Sequence, residues 1–174
     1  MKQSIAHIAL VVKEYDAAIE FYTKKLDFTI LEDTKIDEDK RWVVIAPPGA
    51  KECCLLLAKA ANEDQLKSVG NQTGRRVFLF LFTDNFWRDY NKMIERNINF
   101  IRPPTEHEYG RVAVFEDLYG NLWDLLEPNE NNKGLIKEQK NRYTKTSHCI
   151  LLTVIDVRQN NSKQFNTERI CKIL

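Results

Sequence analysis

Hydrophobic residues recur in the same order twice along this chain of 174 residues. Each copy has an apolar stretch, then a segment with apolar residues every three to four positions, then a second apolar stretch. A period of this kind predicts an amphipathic helix between two strands. These segments lie at 5–12, 14–25 and about 27–33 in the first copy, and at 77–83, 85–96 and 99–102 in the second.

The apolar helix positions of the two copies superpose at one offset of 71 residues. Tyr15, Ile19 and Tyr22 in the first copy correspond to Phe86, Tyr90 and Met93 in the second. Each copy continues with two further predicted strands, at 41–46 and 53–58 and at 111–116 and 122–127. Because one helix per four strands is too few for a doubly wound sheet, the repeat predicts an α+β fold. In this fold two βαβββ repeats form a curved mixed sheet around a cleft, with the helices outside.

The repeats, at about 1–60 and 75–128, predict one domain over 1–128, joined internally by a polar linker at 59–75. Residues 129–174 differ in kind, because they are rich in Asn and Lys and show no helical period. Their one apolar run, 149–157, either adds a strand to a sheet edge or belongs to a disordered tail. The sequence therefore predicts a domain followed by a C-terminal extension.

Composition excludes several functional classes. A net charge of +1 gives no electrostatic reason to expect a nucleic-acid partner. No apolar run reaches the roughly 20 residues that a membrane helix needs, so no membrane partner is predicted. The four cysteines form no CxxC pair and no regular framework, which favours reduced thiols and a cytoplasmic location.

The alternation of side chains along the first and last strands selects two polar groups for the cleft. His7 is predicted to face the cleft, and Asp124 lies on the opposite side of its strand from Glu127. The offset of 71 pairs His7 with Phe78, so only the first copy has a histidine at this position. This asymmetry is the main functional signal in the repeat.

The repeat, the opening HIALVV at 7–12 and the closing VAVFEDLYGNLWDLLEP at 112–128 together resemble the vicinal oxygen chelate superfamily. That superfamily contains glyoxalase I, extradiol dioxygenases, fosfomycin-resistance enzymes and bleomycin-binding proteins. The segments at 69–74 and 78–90 look like an uncharacterised bacterial subgroup of it. The resemblance covers about 1–128, and it implies the two-repeat fold and a homodimer.

The resemblance also implies a divalent metal bound by side chains from the first and last strands of the repeats. His7 matches the first ligand position, and Asp124 matches the carboxylate position, where glutamate is usual. The other two positions fall on Val77 or Phe78 and near Leu55 or Leu56, so the conventional metal triad is incomplete. Cys54 and Glu127 are the candidates for a third ligand.

Two functions remain open at this point, and with them whether the protein is an enzyme. One is the binding of a small organic molecule in an aromatic-lined cleft. The other is a divalent-metal-dependent lyase or dioxygenase that uses His7 and Asp124 as metal ligands and catalytic groups. Without a metal, this pair could still act as a general acid or base, or His7 could line the cleft without a catalytic role. The candidate ligand-binding residues are Trp42, Phe78, Phe80, Phe82, Tyr109 and Arg111.

Each of these candidates has an alternative interpretation. The aromatic side chains could belong to the core instead of the cleft, because aromatic residues are often buried. Arg41 and Arg111 are candidate anion contacts at the rim, with surface charges as the alternative. His107 lies in a loop predicted at 103–110, either over the ligand or exposed to solvent.

Overall fold

The computed structural model describes residues 3–50 and 53–132. The chain divides into two compact units, Met1–Asn132 and Lys133–Leu174, and the described residues belong to the first. Most of the predicted extension, including the apolar run at 149–157, lies outside the described residues.

The described elements follow the predicted order. The first repeat contains β1 (His7–Val12), α1 (Tyr15–Leu26), β2 (Thr29–Lys35), β3 (Arg41–Ala46) and β4 (Cys54–Lys59), followed by a short helix α2 (Glu63–Ser68). The second contains β5 (Val77–Phe82), α3 (Phe86–Glu95), β6 (Phe100–His107), β7 (Gly110–Glu116) and β8 (Leu122–Pro128). This order confirms the two βαβββ repeats and the α+β fold. None of the helices in the described ranges is long and apolar enough to cross a membrane.

Two segments are more regular than their polar sequences suggest. The linker at 59–75 contains α2, which begins after Asn62, whose side chain accepts a hydrogen bond from the N–H of Gln65. The predicted loop at 103–110 is largely strand, because β6 continues to His107. β6 can contain two prolines because its pairing with β7 is interrupted between Arg102 and Thr105.

The strands form two four-stranded sheets. The first sheet has the order β1-β4-β3-β2, and the second has the corresponding order β5-β8-β7-β6. β1 runs parallel to β4 and β5 runs parallel to β8, while the remaining neighbours are antiparallel. Each sheet is therefore mixed, and β1 and β5 occupy equivalent edges.

One hydrophobic core joins the two repeats. We call the side of each sheet that contributes to it the inner face. The rings of Tyr22 in α1 and Phe28 lie 6.0 and 6.2 Å from the ring of Trp123 in β8. The core also includes side chains from β1, β3, β4, β7 and α3, so both sheets bury their inner faces in the same place.

The opposite sides of the sheets, which we call the outer faces, point away from this core. Along β1, Leu10 and Val12 are fully buried, whereas His7 and Ala9 are exposed, as the predicted alternation requires. His7, which the alternation predicts to face the cleft, therefore lies on the outer face of the first sheet.

The linker contacts both repeats through hydrogen bonds and close packing. The side-chain amide of Gln72 accepts a hydrogen bond from the N–H of Val11 and donates one to the carbonyl of Ala9, at 2.5 and 3.1 Å. It therefore satisfies backbone groups on the free edge of β1. Gly70, at φ +75, lies so close to Tyr119 that a Cβ atom would be 1.9 Å from the Tyr119 carbonyl oxygen. These contacts hold the segment that leads into β5.

Candidate functional site

Four side chains form a row across the outer face of the second sheet. Phe80 of β5 is paired with Asp124 of β8, Asp124 with Val114 of β7, and Val114 with Arg102 of β6. Paired residues on neighbouring strands present their side chains on the same face. The row therefore places an aromatic ring, a carboxylate and a guanidinium group along one line.

A recess of about 460 Å³ lies over this row. Small-molecule sites in proteins typically have volumes of about 300–1,000 Å³. The recess is lined by Arg75, Arg76, Val77, Phe80, Arg102 and Asp124. It therefore has the size of a small-molecule site and combines an apolar ring with both signs of charge.

Asp124 lines this recess, and one oxygen of its carboxyl group is buried and unsatisfied among the described residues. Its Oδ1 atom is buried and has no hydrogen-bond partner within the described part of the chain. Burial raises the pKa of the Asp124 carboxyl, while the charges of Arg102 and His107 act to lower it. A ligand that donates a hydrogen bond to this carboxylate would supply a contact that the described residues do not give to its Oδ1 atom.

Three arginines of the recess differ from the other described arginines. Arg75, Arg76 and Arg102 form no ion pair with any carboxylate in the described ranges. The remaining described arginines are paired: Arg41 with Asp16 and Asp33, Arg88 with Asp84 and Asp89, Arg96 with Asp27, and Arg111 with Glu106 and Glu127. The recess therefore carries positive charge that no described carboxylate neutralises at close range.

Sequence reasoning missed these three arginines. The sequence does contain a hint for Arg75 and Arg76. Both lie between Asp64 and Asp84, an interval with no Asp or Glu. No local acidic partner was therefore available to them. The position of Arg102 opposite Val114 depends on the pairing of β6 with β7, which the sequence does not specify.

His7 lies on the outer face of the first sheet, away from Asp124. It is paired with Cys54 of β4, and its ring is 6.0 Å from the Trp42 ring in an edge-to-face arrangement. Trp42 packs beside Val44, Ala46, Cys54 and Leu56 on the same face. The structure therefore brings His7 and Trp42 together, but it does not bring either of them to Asp124 within one chain.

The three phenylalanines of β5 do not share one face. Phe80 and Phe82 are 58% and 52% exposed on the outer face. Phe78 instead packs against the core, with its ring 6.4 Å from that of Trp123. The cause is a shift in the pairing of β5 with β8 between Val77 and Leu79, because one extra residue reverses the alternation of side chains. Of the three phenylalanines expected on one face of β5, only Phe80 and Phe82 therefore share a face.

The two arginines predicted at the rim lie elsewhere. Arg111 packs over the rings of Phe86 and Trp87 at 5.6 and 5.1 Å, on the side of β7 that faces α3. Arg41 packs over the Tyr15 ring of α1 at 5.3 Å. Both guanidinium groups are held by carboxylates, so neither belongs to the recess at Asp124.

Tyr109 and His107 form a small stacked pair at the junction of β6 and β7. Their rings are nearly parallel, with an angle of 2° and a centroid distance of 5.0 Å. Tyr109 is half-exposed, and the charge of His107 acts on Asp124. The pair is therefore close enough to influence the recess, although neither side chain lines it.

Within one chain, the donor atoms do not fit the divalent metal that the resemblance implies. Asp124 lies among guanidinium groups that form no ion pair with a described carboxylate, and these groups repel a divalent cation. Of the two candidate third ligands, Cys54 lies beside His7 on the other sheet, where burial raises the pKa of its thiol. Glu127 lies 3.6 Å from the guanidinium of Arg111. The described residues contain no group of three or more His, Cys, Asp or Glu side chains that could hold a metal ion.

Comparison with known sequences identifies relatives over most of the described chain. Residues 4–125 match the model of the Glyoxalase/Bleomycin resistance protein/Dioxygenase superfamily. An uncharacterized protein of Shewanella frigidimarina (strain NCIMB 400) is 62% identical over 131 residues, which cover 75% of this chain and 97% of that protein. YurT of Bacillus subtilis (strain 168) is 31% identical over 124 residues, covering 68% and 94%.

Solved structures show the same fold. UcmS2 matches with a TM-score of 0.64 and 25% identity, over 72% of this chain and 98% of that one. TnmS3, described as an antibiotic binding protein from Streptomyces sp. CB03234, matches with a TM-score of 0.59 and 25% identity, over 74% and 98%. These matches confirm the resemblance found in the sequence. The chain therefore belongs to the Glyoxalase/Bleomycin resistance protein/Dioxygenase superfamily.

Proposed function

We propose that this protein binds a small organic molecule with an aromatic or other planar ring, and that binding needs no divalent metal. The observation that carries the proposal is the recess over Asp124, with Phe80 in its wall. The similarity to TnmS3, an antibiotic binding protein, supports binding as the function of this fold. The guanidinium groups around Asp124 argue against a metal-dependent mechanism.

The exposure of two neighbouring phenylalanines supports a ligand of this type. Phe80 and Phe82 each leave more than half of their surface accessible on the same face. Burying a phenylalanine side chain is favourable by about 1.5–3 kcal/mol, so leaving two rings exposed gives up substantial stabilisation. A planar ligand stacked on Phe80 would recover part of it, because aromatic rings prefer offset-stacked or edge-to-face contacts.

The same proposal includes a homodimer. In it, the outer face of the first sheet of one chain covers the outer face of the second sheet of the other. This arrangement would place His7 and Trp42 of one protomer opposite Phe80 and Asp124 of its partner. It would also shield Phe82 from water and form two identical clefts, because a two-fold axis repeats each contact. The cleft predicted from the repeat would then form between two chains.

Replacing Phe80 with alanine tests the ligand site. The probe is N-phenyl-1-naphthylamine, a neutral aromatic dye whose fluorescence rises in apolar surroundings. We expect Phe80→Ala to weaken its binding about tenfold, because about 1.4 kcal/mol corresponds to a factor of ten and a buried phenylalanine contributes about that much or more. Ile94→Ala, at an exposed apolar residue of α3, is the matched control. Equal affinity in wild type and Phe80→Ala would refute the site.

A charge at Phe82 tests the dimer. We expect the wild-type protein to sediment as a dimer at micromolar concentration and Phe82→Glu to sediment as a monomer, because the variant would bury an unpaired carboxylate in the interface. Ile94→Glu introduces the same charge at another exposed apolar residue and should leave the dimer intact. A monomeric wild type, or a dimeric Phe82→Glu, would contradict this part of the proposal.

A further inference from the structure

The recess over Asp124 has an excess of positive charge. Its lining includes three guanidinium groups and one carboxylate, in a chain whose net charge is only +1. The three guanidinium groups lack ion pairs within the described ranges, while the other described arginines are paired. Arginine binds carboxylate and phosphate groups with a planar set of N–H donors, so unpaired arginines in a recess favour an anionic ligand.

The arginines approach Asp124 from both edges of the sheet. Arg75 and Arg76 directly precede β5, which is one edge of the second sheet, and Arg102 lies on β6, which is the other edge. Asp124 lies between them on β8. A ligand over β8 would therefore meet guanidinium groups on two sides, which is more selective than contact with a single positive charge.

The backbone holds Arg75 in an unfavourable conformation. Its φ is +67, in the left-handed region that L residues other than glycine rarely adopt. The Thr73 hydroxyl donates a 2.6 Å hydrogen bond to the carbonyl of Arg76, and Gln72 is bound to the edge of β1. The surrounding contacts therefore maintain a turn that glycine would form more easily. Such strain is common where a side chain contributes to a binding site.

Asp124 adds a second requirement. An anionic group placed directly beside its carboxylate would be repelled, so the anionic group belongs near the arginines. The carboxylate, whose Oδ1 atom has no donor among the described residues, instead favours an N–H or O–H group beside it. The ligand must therefore carry both an anionic group and a separate hydrogen-bond donor.

We infer that the recess binds an aromatic organic anion. Its carboxylate, sulfonate or phosphate group contacts Arg75, Arg76 and Arg102, its ring lies against Phe80, and an N–H or O–H group of the ligand donates to Asp124. This inference rests on the proposed function, because it specifies the chemistry of the ligand in the same recess.

A pair of dyes that differ by one sulfonate group tests the inference. 1-Anilinonaphthalene-8-sulfonate is the sulfonated form of N-phenyl-1-naphthylamine, and both carry an anilino N–H. We expect the wild-type protein to bind the sulfonated dye at least about tenfold more tightly, because hydrogen bonds to charged groups typically contribute enough for one or two factors of ten. This preference should decrease with added sodium chloride, since salt screens exposed charges.

Variants of the recess arginines test whether these residues cause the preference for the sulfonated dye. Arg102→Gln and Arg75→Gly are each expected to reduce the ratio of the two affinities about five- to tenfold. Arg75→Gly should also raise the melting temperature or leave it unchanged, because glycine adopts the observed φ without strain. Arg88→Gln, at an arginine of α3 paired with Asp84, is the control and should keep the wild-type ratio.

Asp124→Asn separates this inference from a metal site. The asparagine keeps an acceptor but removes the negative charge, so affinity for the sulfonated dye should rise about two- to fivefold. A decrease, together with tighter binding in the presence of manganese or zinc, would overturn the inference in favour of a bound cation. Equal affinity for the two dyes, or a preference unchanged in Arg75→Gly and Arg102→Gln, would also overturn it and leave the proposed function standing. Failure of both dyes to bind would overturn both.

Discussion

Asp117→Ala is expected to lower the free energy of unfolding by about 3–5 kcal/mol, because each unsatisfied buried donor costs about 1–3 kcal/mol. Asp117 lies in the turn between β7 and β8 and is almost completely buried. Its carboxylate accepts hydrogen bonds from the Tyr22 hydroxyl, from the backbone N–H groups of Tyr119 and Asn121, and from the Asn121 side-chain amide. Alanine would leave all four donors without this acceptor.

The bond from Tyr22 links the two repeats, since Tyr22 belongs to α1 and Asp117 to the second copy. Tyr22→Phe removes one of the four donors and should cost about 1–3 kcal/mol. Burial, and then the charge of Asp117, raise the pKa of the Tyr22 hydroxyl well above its usual value. A raised folded pKa gives stability that is complete below the unfolded pKa of about 10 and is lost as pH rises toward the folded pKa. Tyr22→Phe should lack this alkaline loss.

Urea denaturation at neutral pH measures the free energy of unfolding of Asp117→Ala and of Tyr22→Phe. The same measurement at about pH 10 and above tests the alkaline loss of stability. Asp64→Ala, at an exposed acid of α2 that pairs with Lys67, is the control and should change stability by less than about 1 kcal/mol. If Asp117→Ala were as stable as this control, the carboxylate would not hold the two repeats together.

The second large effect is expected at Trp123. Trp123→Ala should reduce stability by about 3–5 kcal/mol, the usual cost of truncating a large buried aromatic residue. Only 3% of Trp123 is exposed, and its ring contacts aromatic rings from both repeats, namely those of Tyr22, Phe28, Phe78 and Phe115. The alanine variant would open a cavity where the inner faces of the sheets meet.

Trp123→Phe provides the matched control at the same position. The indole Nε1 atom is buried and has no hydrogen-bond partner in the described residues, so phenylalanine would remove an unsatisfied donor while keeping an aromatic ring. We expect a loss below about 1.5 kcal/mol, as for other replacements that roughly conserve shape. If both variants lost the same stability in urea, ring packing would not be the main contribution of Trp123.

Asp117 and Trp123 link the contact between the repeats to the binding surface. Tyr22 of α1 contacts both Trp123 and Asp117 of the second repeat. Trp123 and Asp124 are neighbours on β8 with side chains on opposite faces. The packing that buries Trp123 therefore also orients Asp124 toward the recess on the outer face.

Local patterns in the sequence were sufficient for the architecture. The offset of 71 residues predicted equivalent helices, and the structure contains them as α1 and α3. Alternation predicted that His7 lies on one face of β1, and the structure has it exposed while Leu10 and Val12 on the other face are buried. It also predicted that Asp124 and Glu127 lie on opposite faces. In the structure Glu127 lies 3.6 Å from the guanidinium of Arg111, whereas Asp124 lines the recess. Such features depend on residues close in the chain, where periodicity is informative.

The composition of the candidate site depended on contacts between distant segments. The shift beside Phe78 reverses its side chain, and no local pattern marks a shift of this kind. The recess unites Arg75 and Arg76, at the end of the linker, with Arg102 and Asp124 from other strands, because strand pairing brings these segments together. Sequence alone therefore determined the two repeats, the α+β fold class and the faces of the first and last strands. Only the tertiary structure decided that one core joins the repeats and that the recess at Asp124 is lined without His7. It also decided that three arginines with no ion pair in the described ranges line this recess.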